Sequence, residues 1–250
     1  MTLTFTAEAH TEDGVVERAF TLDGIPGILW TPASPAAPVP LILLGHPGGL
    51  EQLRPRLAGR ARTSVVELGC AAATVELPGK GDRPVLAEAE RARADLREAF
   101  ADGSGPTADI IDRLILPLVE QAVPEWQQLI DELLALPDIE GPVAYSGGVI
   151  AVGVRLAVVE PRIVAAGLFA GSFVPAATLA EARQVAIPLH VLLQWDDAGN
   201  DRQAALDLFD AFGSQQKTLQ ANLGGHTGVP AWAGEDAARF FARHLRPAEG

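Results

Sequence analysis

Short apolar runs that stop abruptly at glycine, proline or polar turn residues recur along this chain, with helical spacing between them. That alternation limits the fold more than any other feature. Leu41–Leu44, Ala71–Leu77, Ile163–Phe169 and Ile187–Gln194 are nearly continuous in apolar residues and too short for independent helices. Strands buried on both faces belong in a parallel sheet, and parallel neighbours need crossover connections. Arg54–Leu68, Val149–Val159, Gln203–Phe212 and a final segment from about Gly234 to Leu245 have the helical character to supply them, and Lys217–Ala221 adds a further strand. Upstream, Val15–Leu22 and Ile25–Thr31 meet at Asp23-Gly24, a pair that favours a tight hairpin turn. A connector rich in proline and alanine, residues 32–40, leads into the first apolar run. The expectation is a single-domain α/β fold over residues 1–250, with a mostly parallel sheet, helices on both faces and an antiparallel N-terminal hairpin.

Residues 84–125 differ in character. Leu86–Phe100 is rich in Ala, Glu and Arg and predicts a helix with a large solvated face, ended by Gly103-Ser-Gly-Pro106. Ile110, Ile111, Leu114, Ile115 and Leu118 then recur at helical period, as part of the core or as an apolar lid. Pro124 is expected to open a separate helix through Leu136, as a first-turn residue. The segment 84–125 is therefore a candidate helical cap or entrance-shaping insertion.

Composition excludes several classes. With 48% hydrophobic residues among 250, the chain has enough apolar surface for one sizeable core. A formal net charge of −13, with Lys80 and Lys217 the only lysines, argues against a surface for nucleic acid or anionic membrane. Cys70 is the sole cysteine, so no internal disulfide and no cysteine-based zinc site can form; it reads as a small buried hydrophobe. The first residues lack the basic and apolar regions of a secretion signal, and no stretch reaches the length of a membrane span. A cytoplasmic protein with a small-molecule substrate is expected, without cofactor, metal, nucleic acid or membrane partner. Self-association into a homo-oligomer stays open.

The chemistry-bearing candidate is Ser146, in Pro142-Val-Ala-Tyr-Ser-Gly-Gly148. An apolar run that breaks at Ser-Gly-Gly just before a helical stretch predicts a strand–turn–helix elbow, which lifts one hydroxyl clear of the sheet. The competing reading is a serine that caps the next helix. A nucleophilic serine needs a base to take its proton and a carboxylate to orient that base. In open α/β sheets such groups gather outside the carboxyl ends of strands. His226 stands in the glycine-rich loop Asn222-Leu-Gly-Gly-His-Thr-Gly228, after a strand. His10, His190 and His244 fit worse, in a terminal segment, inside an apolar run and at a helix end. Gln194-Trp-Asp-Asp-Ala-Gly199 offers Asp196 and Asp197 after another strand; adjacent side chains point apart, so only one can serve, and Asp197 is preferred.

The order Ser146, Asp197, His226, each beyond a strand end, resembles the α/β-hydrolases, in the style of the dienelactone hydrolases and small serine esterases. The resemblance runs from about Val15 to Leu245. Its anchors are Gly45-His-Pro-Gly-Gly49, Pro78-Gly-Lys-Gly81, Ala144-Tyr-Ser-Gly-Gly148, Gln194-Trp-Asp-Asp197 and Gly224-Gly-His226. It implies Ser146, Asp197 and His226 as the catalytic triad and the N–H groups of Gly147 and Gly48 as the oxyanion hole, with Gly49 as an alternative to Gly48. It also implies the acid three residues beyond position 194, where Gln194 replaces the usual glycine. Three other departures are Ala144 for the first elbow glycine, Pro47 in the oxyanion loop, which has no N–H to donate, and Lys80 for a histidine. His46 is then a loop-shaping residue, and Trp195 and Phe173 are candidates for substrate contact.

The activity so implied is hydrolysis of a small or medium neutral ester, thioester or lactone through an acyl-enzyme on Ser146. A C–C bond hydrolase, an acyltransferase or a biosynthetic tailoring enzyme on the same triad are the alternatives, with a non-catalytic binding protein of hydrolase shape as the other class. Dehalogenase and epoxide-hydrolase chemistry is disfavoured, because those relatives carry aspartate where Ser146 stands.

Overall fold

A computed structural model describes residues 2–10 and 13–245. Nine strands form a single sheet in the order β1-β2-β3-β5-β4-β6-β7-β8-β9. Strands β1 (Leu3–His10), β2 (Val15–Leu22) and β3 (Ile25–Pro32) make an antiparallel meander, and β3 also runs antiparallel to β5 (Ala71–Val75). From there β5, β4 (Val39–Gly45), β6 (Ile139–Gly147), β7 (Ile163–Phe169), β8 (Leu189–Gln194) and β9 (Lys217–Asn222) are mutually parallel. Helices α1 (Leu50–Arg62) and α7 (Ala231–Leu245) cover one face. On the other lie α3 (Ala108–Leu134), α4 (Ile150–Val159), α5 (Ala176–Ala182) and α6 (Arg202–Ala211), with α2 (Ala87–Ala101) packed on α3. This is the α/β architecture that the apolar runs predict.

The two faces are filled unequally. The larger core gathers Leu41, Leu43, Tyr145, Leu168 and Val191 of the sheet with Trp126, Leu129, Ile130 and Leu133 of α3 and Val152 and Leu156 of α4. The other face holds a smaller cluster of Ile42, Leu44, Leu57, Ala144 and Phe241, and a cavity remains between the sheet, α1 and α7.

Helix α3 departs from expectation. In place of a separate helix opening at Pro124, one helix runs through both Pro117 and Pro124. Each internal proline costs about 3 kcal/mol, but Val119, Val123, Trp126, Leu129, Ile130 and Leu133 are all buried by that continuity, each contributing roughly 1.5–3 kcal/mol. Burial wins. In the apolar stripe, Ile115 joins the larger core and Leu114 and Leu118 pack against it. No residue of 84–125 lines the cavity.

Loop 78–84 is tied to α3 by Arg83, which donates to the Glu76 carbonyl at 2.7 Å and to both carboxylate oxygens of Glu125, one of them at 2.9 Å. Both side chains are close to nine-tenths buried. Removing one partner of such a pair leaves a buried charge without compensation, so Glu125→Ala is expected to cost about 3 kcal/mol. Scanning calorimetry should show this as a Tm lower by roughly 6–12 °C, and a shift below about 2 °C would place the anchor elsewhere.

Strand order reverses about β4: the chain leaves it for β5 on one side and returns as β6 on the other. Such a switch opens a crevice outside the carboxyl ends of the two strands. Gly45 and Gly147 are register partners at those ends, so the crevice lies between Gly45-His-Pro-Gly-Gly49 and Ser-Gly-Gly148. Among the described residues no helix is long and apolar enough to cross a membrane.

Candidate active site

Ser146 sits at the carboxyl end of β6, after the fully buried Val143, Ala144 and Tyr145. It is not a helix cap: α4 starts at Ile150, and its N-cap is Val149, which makes no side-chain capping bond. Gly147 makes the turn possible. It adopts φ +117°, and a Cβ there would lie 2.5 Å from the Gly45 carbonyl and 2.8 Å from Arg60 Nη2, which only glycine avoids. Gly45 is equally constrained, since a Cβ would fall 2.1 Å from the Tyr145 hydroxyl oxygen.

His226 is held by Asp197. Its Nδ1 lies 2.7 Å from Asp197 Oδ2. A carboxylate only accepts, so Nδ1 is the donor in this bond. The Asp197 side chain is 4% exposed and that of His226 49%, so the carboxylate is buried and the imidazole accessible. The other carboxylate oxygen accepts from the Gly199 N–H at 3.1 Å. Asp196 is exposed and makes no side-chain hydrogen bond to the histidine among the described residues. Phe169, at the end of β7, sets its ring edge-on to His226 with centroids 5.4 Å apart. Gln194 explains its own departure from the glycine pattern: its buried amide donates to the Gly225 carbonyl at 3.1 Å and accepts from Asn222 at 3.3 Å, bracing the loop that carries His226.

Ser146 and His226 line the same cavity, of about 640 Å³, together with Gly147, Gly148 and Pro47. No hydrogen bond joins them among the described residues. Instead Ser146 Oγ accepts from Arg60 Nη2 at 3.2 Å, while the same guanidinium donates to the Ser146 carbonyl at 2.6 Å and the Gly45 carbonyl at 2.9 Å. Burial lowers the Arg60 pKa to about 10, with Arg56 adding to the shift and Tyr145 opposing it, so the group remains a cation at neutral pH. Sequence reasoning missed Arg60, Phe169 and the bracing role of Gln194.

In the facing loop His46 is buried between two carbonyls, Gly48 at 2.8 Å from Nδ1 and Val75 at 2.9 Å from Nε2, a loop-shaping position. Burial pushes its pKa down against those two bonds. Phe173 packs against the larger core, and Trp195 lies under the Arg202 guanidinium, 4.3 Å from the ring centroid; the structure brings neither to the cavity wall. Among the described residues no three His, Cys, Asp or Glu side chains cluster in a way that would hold a metal ion.

No protein-family model and no curated protein matches the chain. Solved structures do. A cold-adapted esterase from an Arctic intertidal metagenomic library superposes with a TM-score of 0.72 at 25% identity, over 98% of this chain and 100% of that one. Its native structure gives 0.68 at 26% identity, over 97% and 100%. Acetyl xylan esterase 1 from Thermoanaerobacterium sp. gives 0.62 at 12% identity over 96% and 87%, a likeness of fold alone. The chain has the α/β-hydrolase fold and resembles that superfamily over nearly its whole length.

Proposed function

We propose that this protein is a serine hydrolase that cleaves a carboxylic ester, thioester or lactone through an acyl-enzyme on Ser146. The observation that carries the reading is the Asp197–His226 pair, 2.7 Å apart, opening onto the cavity that Ser146 also lines. Likeness to the cold-adapted esterase supports the reaction class.

In this reading Ser146 Oγ turns to His226 Nε2, gives up its proton there and attacks the carbonyl carbon. On the same reading the resulting oxyanion is received by the backbone N–H of Gly147 and by a second N–H from the Gly45–Gly49 loop, with Gly48 as its candidate. His226 returns the proton to the leaving alcohol or thiol as the tetrahedral intermediate collapses to the acyl-enzyme. Water, deprotonated by His226, repeats the sequence and releases the carboxylic acid. Asp197 stays ionised and stabilises the imidazolium in both halves.

A panel of 4-nitrophenyl esters, a thioester and simple lactones, assayed near neutral pH, tests the proposal. Release of acid from at least one ester with saturation kinetics is expected. Absence of turnover across the panel, in a protein with an intact folding transition, would remove the reading.

A further inference from the structure

The cavity's charge contrasts with that of the chain. In a protein of formal charge −13, none of the cavity-lining residues is Asp or Glu, yet Arg56 and Arg60 both line it. They are one helical turn apart on α1 and so project the same way. Their helix neighbours behave differently: Arg54 is paired with Glu17 and Arg62 with Asp13. Among the described residues neither Arg56 nor Arg60 has a carboxylate partner, and Arg60 rests on two backbone carbonyls and one hydroxyl. Arg56 is exposed to water at the rim, whereas Arg60 is partly buried, and a cation withdrawn from water without a counter-charge is costly. Among the described residues, no Asp or Glu lies on this cavity wall. The remaining walls are largely apolar, with Ile42, Leu44, Leu57, Leu192 and Phe241.

We propose that the counter-charge arrives with the substrate: the ester carries a free carboxylate close to its scissile carbonyl, bound by Arg60 and Arg56. This rests on the hydrolase reading above and replaces the neutral substrate expected from sequence with an anionic one. Distance sets its size. Arg60 Nη2 lies 3.2 Å from Ser146 Oγ, and a charge-assisted bond of about 2.8 Å then holds the carboxylate within about 6 Å of the nucleophile. Half-esters of short dicarboxylic acids, with two to four methylenes between the carbonyls, meet that limit. Their methylenes lie against the apolar wall, and a volume of about 640 Å³ accommodates the leaving group as well.

The test compares 4-nitrophenyl hydrogen adipate with 4-nitrophenyl hexanoate, which has the same acyl carbon count and no charge. Wild-type protein is expected to favour the adipate half-ester in kcat/KM by about 10- to 100-fold, the range for hydrogen bonds to a charged group. Arg60→Gln and, separately, Arg56→Gln should each lower that ratio, and Arg60→Lys should keep part of it. The ratio within one variant cancels any general damage to the site, which a merely structural role for Arg60 would produce. Should Arg60→Gln fail to fold, Arg56→Gln and the wild-type ratio still decide. Titration of Ser146→Ala protein with monomethyl adipate and methyl hexanoate by calorimetry gives the same comparison without turnover. Hydrolysis of hexanoate at least as fast as adipate, or equal binding of the two methyl esters, overturns the anionic substrate and leaves the hydrolase reading standing. Adipate binding without turnover of either aryl ester would do the reverse.

Discussion

Ser146→Ala is expected to lower kcat for a small aryl ester by at least about 10⁴-fold, because a serine acting as one unit with its base carries most of the chemical step. Stability should hardly change. The hydroxyl makes one side-chain hydrogen bond, from Arg60 at 3.2 Å, and the serine is neither a helix cap nor part of the buried core. Alanine fits the strand end without a new contact, so the residual rate reports lost nucleophile rather than lost fold. Kinetics paired with a thermal melt separate the two. Near wild-type turnover in the variant would mean that the reaction starts elsewhere.

Asp197→Asn should follow with a loss of about 10³- to 10⁴-fold in kcat. In the proposed mechanism the carboxylate oxygen 2.7 Å from His226 Nδ1 fixes the tautomer that leaves Nε2 free to accept a proton. An amide of the same shape turning its NH₂ toward Nδ1 selects the wrong tautomer and removes the charge that stabilises the imidazolium. Asp196→Asn is the internal control. Its side chain is exposed and apart from His226, so turnover should stay within about twofold, the usual outcome for a surface change away from special contacts. Comparable losses in both variants, or a loss confined to Asp196→Asn, would reassign the acid.

Much of the fold is legible in the sequence because its strands are buried on both faces and announce themselves as apolar runs. Leu41–Leu44 lies within β4, Ala71–Leu77 contains β5, and Ile163–Phe169 coincides with β7. Strand β1 is not legible: Leu3–His10 is an edge strand with mostly exposed side chains, paired on one side only, so little burial marks it. Helix α5 spans only seven residues, too short to build a period. Helix α3 was obscured by its prolines, whose local cost is overridden by the sheet it covers.

The site divides along similar lines. The Asp197–His226 pairing follows from the position of each residue just beyond a strand end and from chain order. Arg60 reaches Ser146 from 86 residues away, a proximity no local pattern encodes. The available signal was a pair of arginines four apart, Arg56 and Arg60, among Leu53 and Leu57 on one helix. Phe169 reads as the last apolar residue of a strand and Gln194 as a strand terminus. Their contacts with the histidine and its loop exist only once β7, β8 and β9 lie side by side.

The central claim is that Ser146 becomes covalently acylated. Treating the wild-type protein with a fluorophosphonate and mapping the adduct by peptide mass spectrometry addresses it directly, since the probe captures an activated serine without knowledge of the substrate. One stoichiometric adduct on Ser146 is expected, absent in Ser146→Ala and strongly slowed in Asp197→Asn. An unmodified Ser146 under conditions that label a reference serine hydrolase, or an adduct on another residue, would contradict it.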